Sequence, residues 1–281
     1  MVQKIFVKIA DIPITINCNN SKMLKWFKKK YFYFLISNKP RSSFKIEIKK
    51  RILYDSYGIL KKTNNGEKIS FDFVHNYENN KIYISINKKK RSATINTWNE
   101  KKNDIIKAIE IVIYNYILQL NKGCILHAAS VIKNNKGYIF LGSSGTGKST
   151  ICKKARAKIL HDDKSLIIWK KNKFKIFNST IDCKIKSKKK VKSDISSNLH
   201  AIYVLRQAKK NKVVKKNPIS TLHYLKCQSS QVGFWRMLRP MLHSLSKNSD
   251  GILKNLSSKV ESYDLYFNKK CDFWQLIEKI K

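Results

Sequence analysis

The clearest chemical signature in this sequence is a glycine-rich stretch, GSSGTGKS, which runs from Gly142 to Ser149. It fits the pattern G-x-x-x-x-G-K-[ST] without a mismatch. Glycines let the backbone curl so that successive N–H groups point into one concavity, where they bind phosphate oxygens. Lys148 is then expected to reach the β- and γ-phosphates of a nucleotide, and the Ser149 hydroxyl to bind Mg²⁺. The predicted nucleotide-binding residues are Gly142, Ser143, Ser144, Gly145, Thr146, Gly147, Lys148, Ser149 and Thr150.

Two acids and a histidine stand on either side of this loop. Asp162 and Asp163 end the first predicted strand after it, and His127 lies on a predicted strand before it. In an α/β sheet, strand ends on the loop side face the ligand, so one carboxylate there is suited to Mg²⁺ and the other to a general base. Spacing alone leaves two simpler interpretations open, an Asx turn at the acids and a structural core histidine at His127.

The predicted elements around the loop favour an α/β domain with a mixed sheet over residues 121–281. An apolar strand, Tyr138–Leu141, leads into the loop, and a helical pattern follows it. A strand from Cys124 to Ile132 precedes them, and the turn at Asn134–Gly137 is short. The two strands are therefore expected to be antiparallel neighbours.

Residues 1–120 predict a small α+β portion, either packed on the 121–281 domain or standing beside it. The segment QKIFVKIADIPITIN predicts a strand pair bent at Pro13, and a helix begins at a possible N-cap, Ser21. A second helix is predicted from Asn103 to Asn121, capped by Asn103 or Asp104. It is apolar around most of its circumference, which is typical of a buried helix.

A net charge of +41 is the strongest feature of the composition of this 281-residue chain. Such a charge suggests a nucleic-acid partner, but only seven of the 59 basic residues are arginines, the better residue for reading bases. A mutational bias towards A/T would raise the numbers of Lys and Asn together and is the favoured explanation of the charge, so nucleic acid is not the expected partner. No apolar run could span a membrane, the N-terminus does not resemble a signal peptide, and the six cysteines are scattered. The expectation is a cytoplasmic protein.

The segments LHAASV, GYIFLGSSGTGKST and ILHDD resemble the catalytic core of the HPr kinase/phosphorylase family, which is related in fold to phosphoenolpyruvate carboxykinases. The resemblance implies a mixed-sheet P-loop kinase core over 121–281. It also implies that Lys148 binds phosphates, Ser149 and Asp162 bind Mg²⁺, Asp163 is the base and His127 assists. The later Glu-Leu-Arg-Gly-type signature of HPr kinases, which supplies a metal-binding Glu, does not follow Asp163. The whole chain is more similar to the HPr kinase-related proteins of ribosomal-peptide biosynthesis, including lasso-peptide kinases.

These observations predict an ATP-dependent kinase that uses Mg²⁺ and phosphorylates a Ser or Thr hydroxyl of a peptide or small protein. One alternative is a kinase for a small metabolite such as free serine. Another is a non-catalytic module that senses nucleotide or binds nucleic acid. The basic segment 184–192 would steer an acidic peptide or form a solvated loop. Arg236 and Arg239 would stabilise phosphate charge or form a plain surface pair, and a homo-oligomer is left open.

Overall fold

The computed structural model describes residues 2–50, 63–64, 68–74, 81–97, 101–181, 195–230, 243–268 and 272–280. The chain divides into two compact units, Met1–Ile117 and Leu118–Lys281. Both contain helices and sheets, so the fold class is α/β with mixed sheets. In the described part of the chain no helix is long and apolar enough to cross a bilayer. The basic segment 184–192, Arg236 and Arg239 lie outside the described residues.

The described residues of the first unit form a seven-stranded sheet. Its strands are β1 (Gln3–Ile9), β2 (Ile12–Cys18), β3 (Phe44–Lys50), β4 (Thr63–Asn64), β5 (Lys68–Val74), β6 (Lys81–Asn87) and β7 (Ser92–Thr97). Their order is β1-β2-β3-β7-β6-β5-β4, with β2, β3 and β7 parallel to one another and the remaining pairs antiparallel. Alternation along FKIEI buries Phe44, Ile46 and Ile48 on one face of β3.

The first hairpin turns at a different place from the one predicted. Ala10 and Asp11 form the turn between β1 and β2, with φ angles of 51° and 64°. Two left-handed residues match the twist of a two-residue hairpin, and Asp tolerates that conformation well. The predicted bend at Pro13 is wrong, because Pro13 lies within β2 opposite Lys8.

Two predicted helix starts are also corrected. Helix α1 (Ser21–Lys30) is capped by Asn20, whose side chain accepts hydrogen bonds from the backbone N–H groups of Lys22 and Met23. Ser21 is therefore the first helical residue, not the cap. Helix α2 (Lys102–Ile111) starts after Lys101, which makes no side-chain cap bond. A π-helical turn, Val112–Ile117, continues α2 to the end of the first unit.

The described residues of the second unit form a nine-stranded sheet around the long strand β14. Its strands are β8 (Gly123–Leu126), β9 (Ala128–Lys133), β10 (Lys136–Leu141), β11 (Lys158–His161), β12 (Ser165–Lys170), β13 (Lys173–Phe177), β14 (Ser196–Gln207), β15 (Lys212–Lys215) and β16 (Glu261–Phe267). Strand β14 is parallel to β10 and to β16, and its first residues pair antiparallel with β13. Strands β9 and β10 are antiparallel neighbours, as predicted.

The strand predicted from Cys124 to Ile132 is two strands that meet at His127. Leu126, at the end of β8, pairs with Ser165 of β12. Ala128, at the start of β9, pairs with Leu141 of β10. The chain therefore changes its partner strand at His127, whose side chain is part-exposed at this break.

Helices cover both faces of the second sheet. A short helical turn, α3 (Leu118–Leu120), opens the unit, and on one face Leu225, Leu253 and Leu256 pack against sheet residues such as Ile139. On the other face Ile151, Phe273 and Trp274 pack against Phe140 and its neighbours. The helices that supply these side chains are α4 (Lys148–Lys154), α5 (Pro218–Ser230), α6 (His243–Lys259) and α7 (Phe273–Glu278).

Candidate functional site

Strand register brings the predicted site residues to one edge of the second sheet. Strand β9 is antiparallel to both β10 and β11, so its first residues lie beside the last residues of both. Ala128 pairs with Leu141, the residue before Gly142, and the last residue of β11, His161, pairs with Ser130. The glycine-rich loop, the acidic pair after β11 and His127 therefore share this edge, which is where ligands bind in α/β sheets.

The glycine-rich loop (Gly142–Ser149) has a backbone shape that specifically requires two of its glycines. Gly145 and Gly147 have φ angles of 83° and 111°, in the left-handed region. Thr146 closes a turn that starts at Ser143, since both its N–H and its hydroxyl donate to the Ser143 carbonyl, at 3.3 and 2.8 Å. Alternating backbone conformations of this kind turn successive N–H groups into one concavity, which suits an anion.

Lys148 is folded into this loop. Its ammonium donates to the backbone carbonyls of Gly142 and Ser143, at 2.7 and 3.1 Å, and the residue is buried. Ser143, Ser144 and Gly145 are exposed, so this part of the loop is open to solvent. The arrangement holds a cation inside a loop of accessible backbone, which is the chemistry needed to bind a polyphosphate.

His127 and Asp163 are in direct contact. Nε2 of His127 lies 2.9 Å from Oδ1 of Asp163, and the side chains are 17% and 31% exposed. The backbone supports the pair, because the Ala128 N–H donates to the Asp163 carbonyl and the His127 N–H donates to the Gln228 carbonyl of α5. A part-exposed carboxylate held by an imidazole is suited to accepting a proton from a bound hydroxyl.

Asp162 and Asp163 have different surroundings, and His161 contacts both residues in different ways. Nδ1 of His161 accepts hydrogen bonds from the backbone N–H groups of Asp163 and Lys164, at 2.9 and 2.8 Å. Nε2 therefore carries the proton and donates it to the Ile181 carbonyl, at 3.2 Å. Burial lowers the pKa of His161, which keeps the ring neutral. The 3.5 Å approach of Asp162 Oδ1 to Nδ1 is then a contact and not an ion pair, since that nitrogen has no proton.

The exposure of the candidate metal ligands differs. Ser149 is exposed beside the loop, whereas the Asp162 side chain is 1% exposed and sits beneath the surface of the site. Asp163 is the acid that faces solvent. Among the described residues there is no group of three or more His, Cys, Asp or Glu side chains that could hold a metal by itself. A Mg²⁺ ion that is carried by substrate phosphates needs only one or two protein oxygens, and Ser149 together with one Asp fits that requirement.

The structure adds residues around the loop that motif analysis did not find. Gln207, at the end of β14, donates its side-chain amide to the Gly145 carbonyl, at 2.8 Å. The ring of Phe267, at the end of β16, lies where a Cβ on Gly147 would meet it at 2.9 Å. Both residues end strands that run parallel to β10. A place at the end of such a strand is the only feature by which the sequence could have indicated that they lie near the loop.

A charged cluster lies at the end of β14 next to Gln207. Asp264 binds two cations: Nε of Arg206 at 3.1 Å and Nζ of Lys216 at 3.0 Å. Arg206 also donates to the Tyr224 hydroxyl of α5. The cluster fixes α5 against the end of β14, and the same helix bonds His127 through Gln228.

Comparison with known families places this site in a defined group of proteins. The family model described as SynChlorMet cassette protein ScmC matches residues 93–281, which is more than half of the chain. The matched segment contains the glycine-rich loop, His127 and the acidic pair. No curated protein matches the sequence.

Proposed function

This chain belongs to the ScmC family of SynChlorMet cassette proteins, and we propose that it is an ATP-dependent kinase of the HPr kinase-like type, with a P-loop kinase core in its second unit. Its acceptor would be a Ser or Thr hydroxyl of a peptide or small protein. The observation that carries the proposal is the placement of the Asp163 carboxylate, paired with His127, on the same sheet edge as the loop that encloses Lys148. A nucleotide-binding loop alone would indicate only binding, whereas an exposed base beside it indicates transfer to a hydroxyl.

The proposed nucleotide site uses the whole loop. Backbone N–H groups from Gly142 to Thr150 would bind the phosphate oxygens of ATP. The Lys148 ammonium would exchange its bonds to loop carbonyls for the β- and γ-phosphates. The Gln207 amide would keep the loop in this shape by its hydrogen bond to the Gly145 carbonyl. The ring of Phe267 leaves no space for a larger side chain at position 147.

The proposed chemistry assigns one proton transfer to the protein. Asp163 accepts the proton of the acceptor hydroxyl while that oxygen forms a bond to the γ-phosphorus, and the bond from this phosphorus to ADP breaks. His127 keeps the Asp163 carboxylate oriented towards the open side of the site. The proton then leaves Asp163 to solvent, and the products are a phosphorylated acceptor and ADP.

Mg²⁺ would be held by the Ser149 hydroxyl and an acidic side chain of the pair. When bound, it neutralises negative charge on the β- and γ-phosphates. The exposure of Asp163 makes it accessible from the side of the site that faces solvent, whereas Asp162 is enclosed against His161. Asp162 could therefore bind Mg²⁺ only if the residues that bury its carboxylate move apart when the nucleotide binds.

The direct test is phosphate transfer from γ-labelled ATP with Mg²⁺, offered to a library of Ser- and Thr-containing peptides and to a metabolite extract. The Lys148→Ala variant is expected to abolish labelling. The matched control is Lys153→Ala, which removes an exposed lysine from the same helix and is expected to retain full labelling.

The outcomes separate the candidate functions. Label on a peptide supports the proposal, and label on a metabolite alone would replace the peptide with a small-molecule acceptor. ATP binding that is lost in Lys148→Ala, without transfer to any acceptor, would favour a nucleotide sensor. Transfer that persists in Lys148→Ala would contradict the assignment of the loop.

A further inference from the structure

A second candidate site lies at the other end of the same sheet. A cavity of about 380 Å³ opens between the sheet and α7, at the start of β10 instead of its end. Its walls are the rings of Tyr138, Tyr203 and Tyr263, with Ile277 of α7 and Ile280, which follows α7, among the other lining residues. We call it the tyrosine pocket. Its volume lies within the usual range for small-molecule sites, about 300–1,000 Å³.

The tyrosine pocket is about 13 Å from the glycine-rich loop. Four residues of extended strand separate Tyr138 from Gly142, at about 3.3 Å for each residue. Phe140 lies between them and is part of the packed core. A molecule in the tyrosine pocket would therefore be separate from one at the loop.

Two largely buried tyrosines in this pocket have hydroxyls without a hydrogen-bond partner among the described residues. Tyr203 is 2% exposed and Tyr138 is 7% exposed. Neither hydroxyl makes a hydrogen bond to any residue that the structure describes. The Tyr263 hydroxyl, in contrast, donates to Glu261 at 2.6 Å. Both hydroxyls are accessible from the cavity, so a polar group of a ligand placed there would find two hydrogen-bond partners.

These hydroxyls are able to donate and to accept. Burial raises the pKa of Tyr203 and of Tyr138, so both phenols keep their protons at neutral pH. The rings are also held in place: Tyr203 stacks on Tyr263 with centroids 5.4 Å apart, and Tyr138 packs edge-on against Trp274 at 5.1 Å. The polar groups of the pocket are therefore preorganised.

The rim of the pocket carries both signs of charge. Lys133 and Lys136 come from the β9–β10 turn, Glu261 begins β16, and Glu278 ends α7. Lys133 pairs with Glu278 at 2.8 Å, and Glu261 pairs with the exposed Lys215 at 2.7 Å. In each pair at least one partner is more than half exposed, and ion pairs at the surface are weak, so charged groups of a ligand can replace them.

We propose that the tyrosine pocket is a binding site for a free α-amino acid whose side chain has a polar tip. The α-ammonium would pair with Glu261 and the α-carboxylate with Lys133, while the side chain enters between the tyrosine rings and meets the Tyr138 and Tyr203 hydroxyls. A simple cation would meet repulsion from the two lysines, and a simple anion from the two glutamates. A zwitterion is the small ligand that matches both signs. This proposal is independent of the kinase assignment.

The test is ligand-observed NMR of the full-length chain, without nucleotide, against each of the twenty free L-amino acids. Calorimetry then gives the affinity of those that bind. At least one amino acid with a polar tip is expected to bind with a Kd below about 1 mM. Its decarboxylated amine and its N-acetyl derivative are each expected to bind at least about tenfold more weakly, since each removes one charge.

Two variants localise the binding. Tyr203→Phe keeps the ring and removes the hydroxyl, and Glu261→Gln removes the rim charge; each is expected to weaken binding about fivefold or more at an unchanged unfolding midpoint. The matched control, Glu47→Gln on β3, removes a part-exposed carboxylate from the other unit and is expected to bind the amino acid as the wild type does. The proposal is overturned if no amino acid binds, if the analogues bind equally well, or if both pocket variants retain wild-type affinity. Lys148→Ala is expected to bind the amino acid with wild-type affinity, since Lys148 lies at the other end of the sheet. A negative kinase assay would therefore not count against the tyrosine pocket.

Discussion

Nε2 of His127 lies 2.9 Å from Oδ1 of Asp163, although the two residues belong to different strand connections of the second sheet. The β8–β9 break supplies the histidine and the β11–β12 turn supplies the acid, and the Ala128 N–H joins the two by donating to the Asp163 carbonyl. Backbone hydrogen bonds therefore tie the connections that carry the pair to the sheet.

Asp163→Asn tests the proposed base. The amide has the same shape but cannot accept the proton, so kcat for phosphate transfer is expected to fall by about 10²–10⁴-fold. ATP affinity is expected to stay equal or to increase, because a negative charge near the phosphates is removed. Asp250→Asn, on the exposed side of α6, is the matched control and should transfer phosphate normally. Normal transfer by Asp163→Asn would exclude this residue as the base.

His127 is expected to position Asp163, and two substitutions separate this role from a structural one. His127→Leu removes the hydrogen bond and is expected to lower kcat about tenfold without changing the KM for ATP. His127→Gln retains a donor and is expected to recover part of that loss. Steady-state kinetics with both variants checks this. Equal losses in the two variants, or a raised KM for ATP, would contradict a positioning role.

The two left-handed glycines of the loop offer a matched pair of substitutions. Gly145 has open space where a Cβ would stand, whereas a Cβ on Gly147 would meet Phe267 at 2.9 Å. Gly145→Ala is expected to cost about 1–2 kcal/mol in free energy of unfolding from backbone strain alone. Gly147→Ala is expected to cost more, and Gly147→Ala with Phe267→Leu should recover the difference. Denaturant unfolding measures this series, and equal costs for the two single variants would show that the contact with Phe267 is not limiting.

The elements next to the loop were predictable because their signals are local. An apolar strand leading into GSSGTGKS and the turn at Asn134 and Asn135 are both encoded within a few residues. Both turn residues are left-handed in the structure, which is the conformation that such a hairpin needs.

The break at His127 and the role of His161 were not predictable in the same way. The run CILHAASVI has the same apolar character whether it forms one strand or two, and only pairing with Ser165 and with Leu141 divides it. Nothing in the local sequence marks His161, because its function depends on carbonyl and N–H groups contributed by Asp163, Lys164 and Ile181. Both features come from long-range pairing, which periodicity does not report.

Because His161 is buried, we expect the free energy of unfolding to fall in mild acid. Burial lowers its pKa in the folded chain below the ordinary value of 6.5, so the unfolded chain binds a proton more readily than the folded one. Its contribution to stability is complete above about pH 6.5 and is lost as the pH falls towards the folded-state pKa. Urea unfolding between pH 7.5 and 5.5, in EDTA, is expected to show this decline in the wild type and a weaker one in His161→Gln. His223→Gln removes an exposed histidine of α5 and should leave the decline in place. A decline that is equally steep in His161→Gln would assign it to other groups.

A hydrogen bond of Trp274 joins α7 to α4, the helix that follows the glycine-rich loop, and is expected to stabilise the fold. Its indole Nε1–H donates to the carbonyl of Ala155, the C-cap residue of α4, at 2.6 Å in a buried setting. Trp274→Phe keeps an aromatic ring but leaves that carbonyl without this donor, so the free energy of unfolding is expected to fall by about 1–3 kcal/mol. Trp169→Phe, on β12, is the matched control, since the Trp169 indole makes no hydrogen bond to a described residue and its loss is expected to cost less. Denaturant unfolding of the three proteins compares them. If Trp169→Phe proves as costly as Trp274→Phe, lost ring packing accounts for the effect and the bond to Ala155 contributes little.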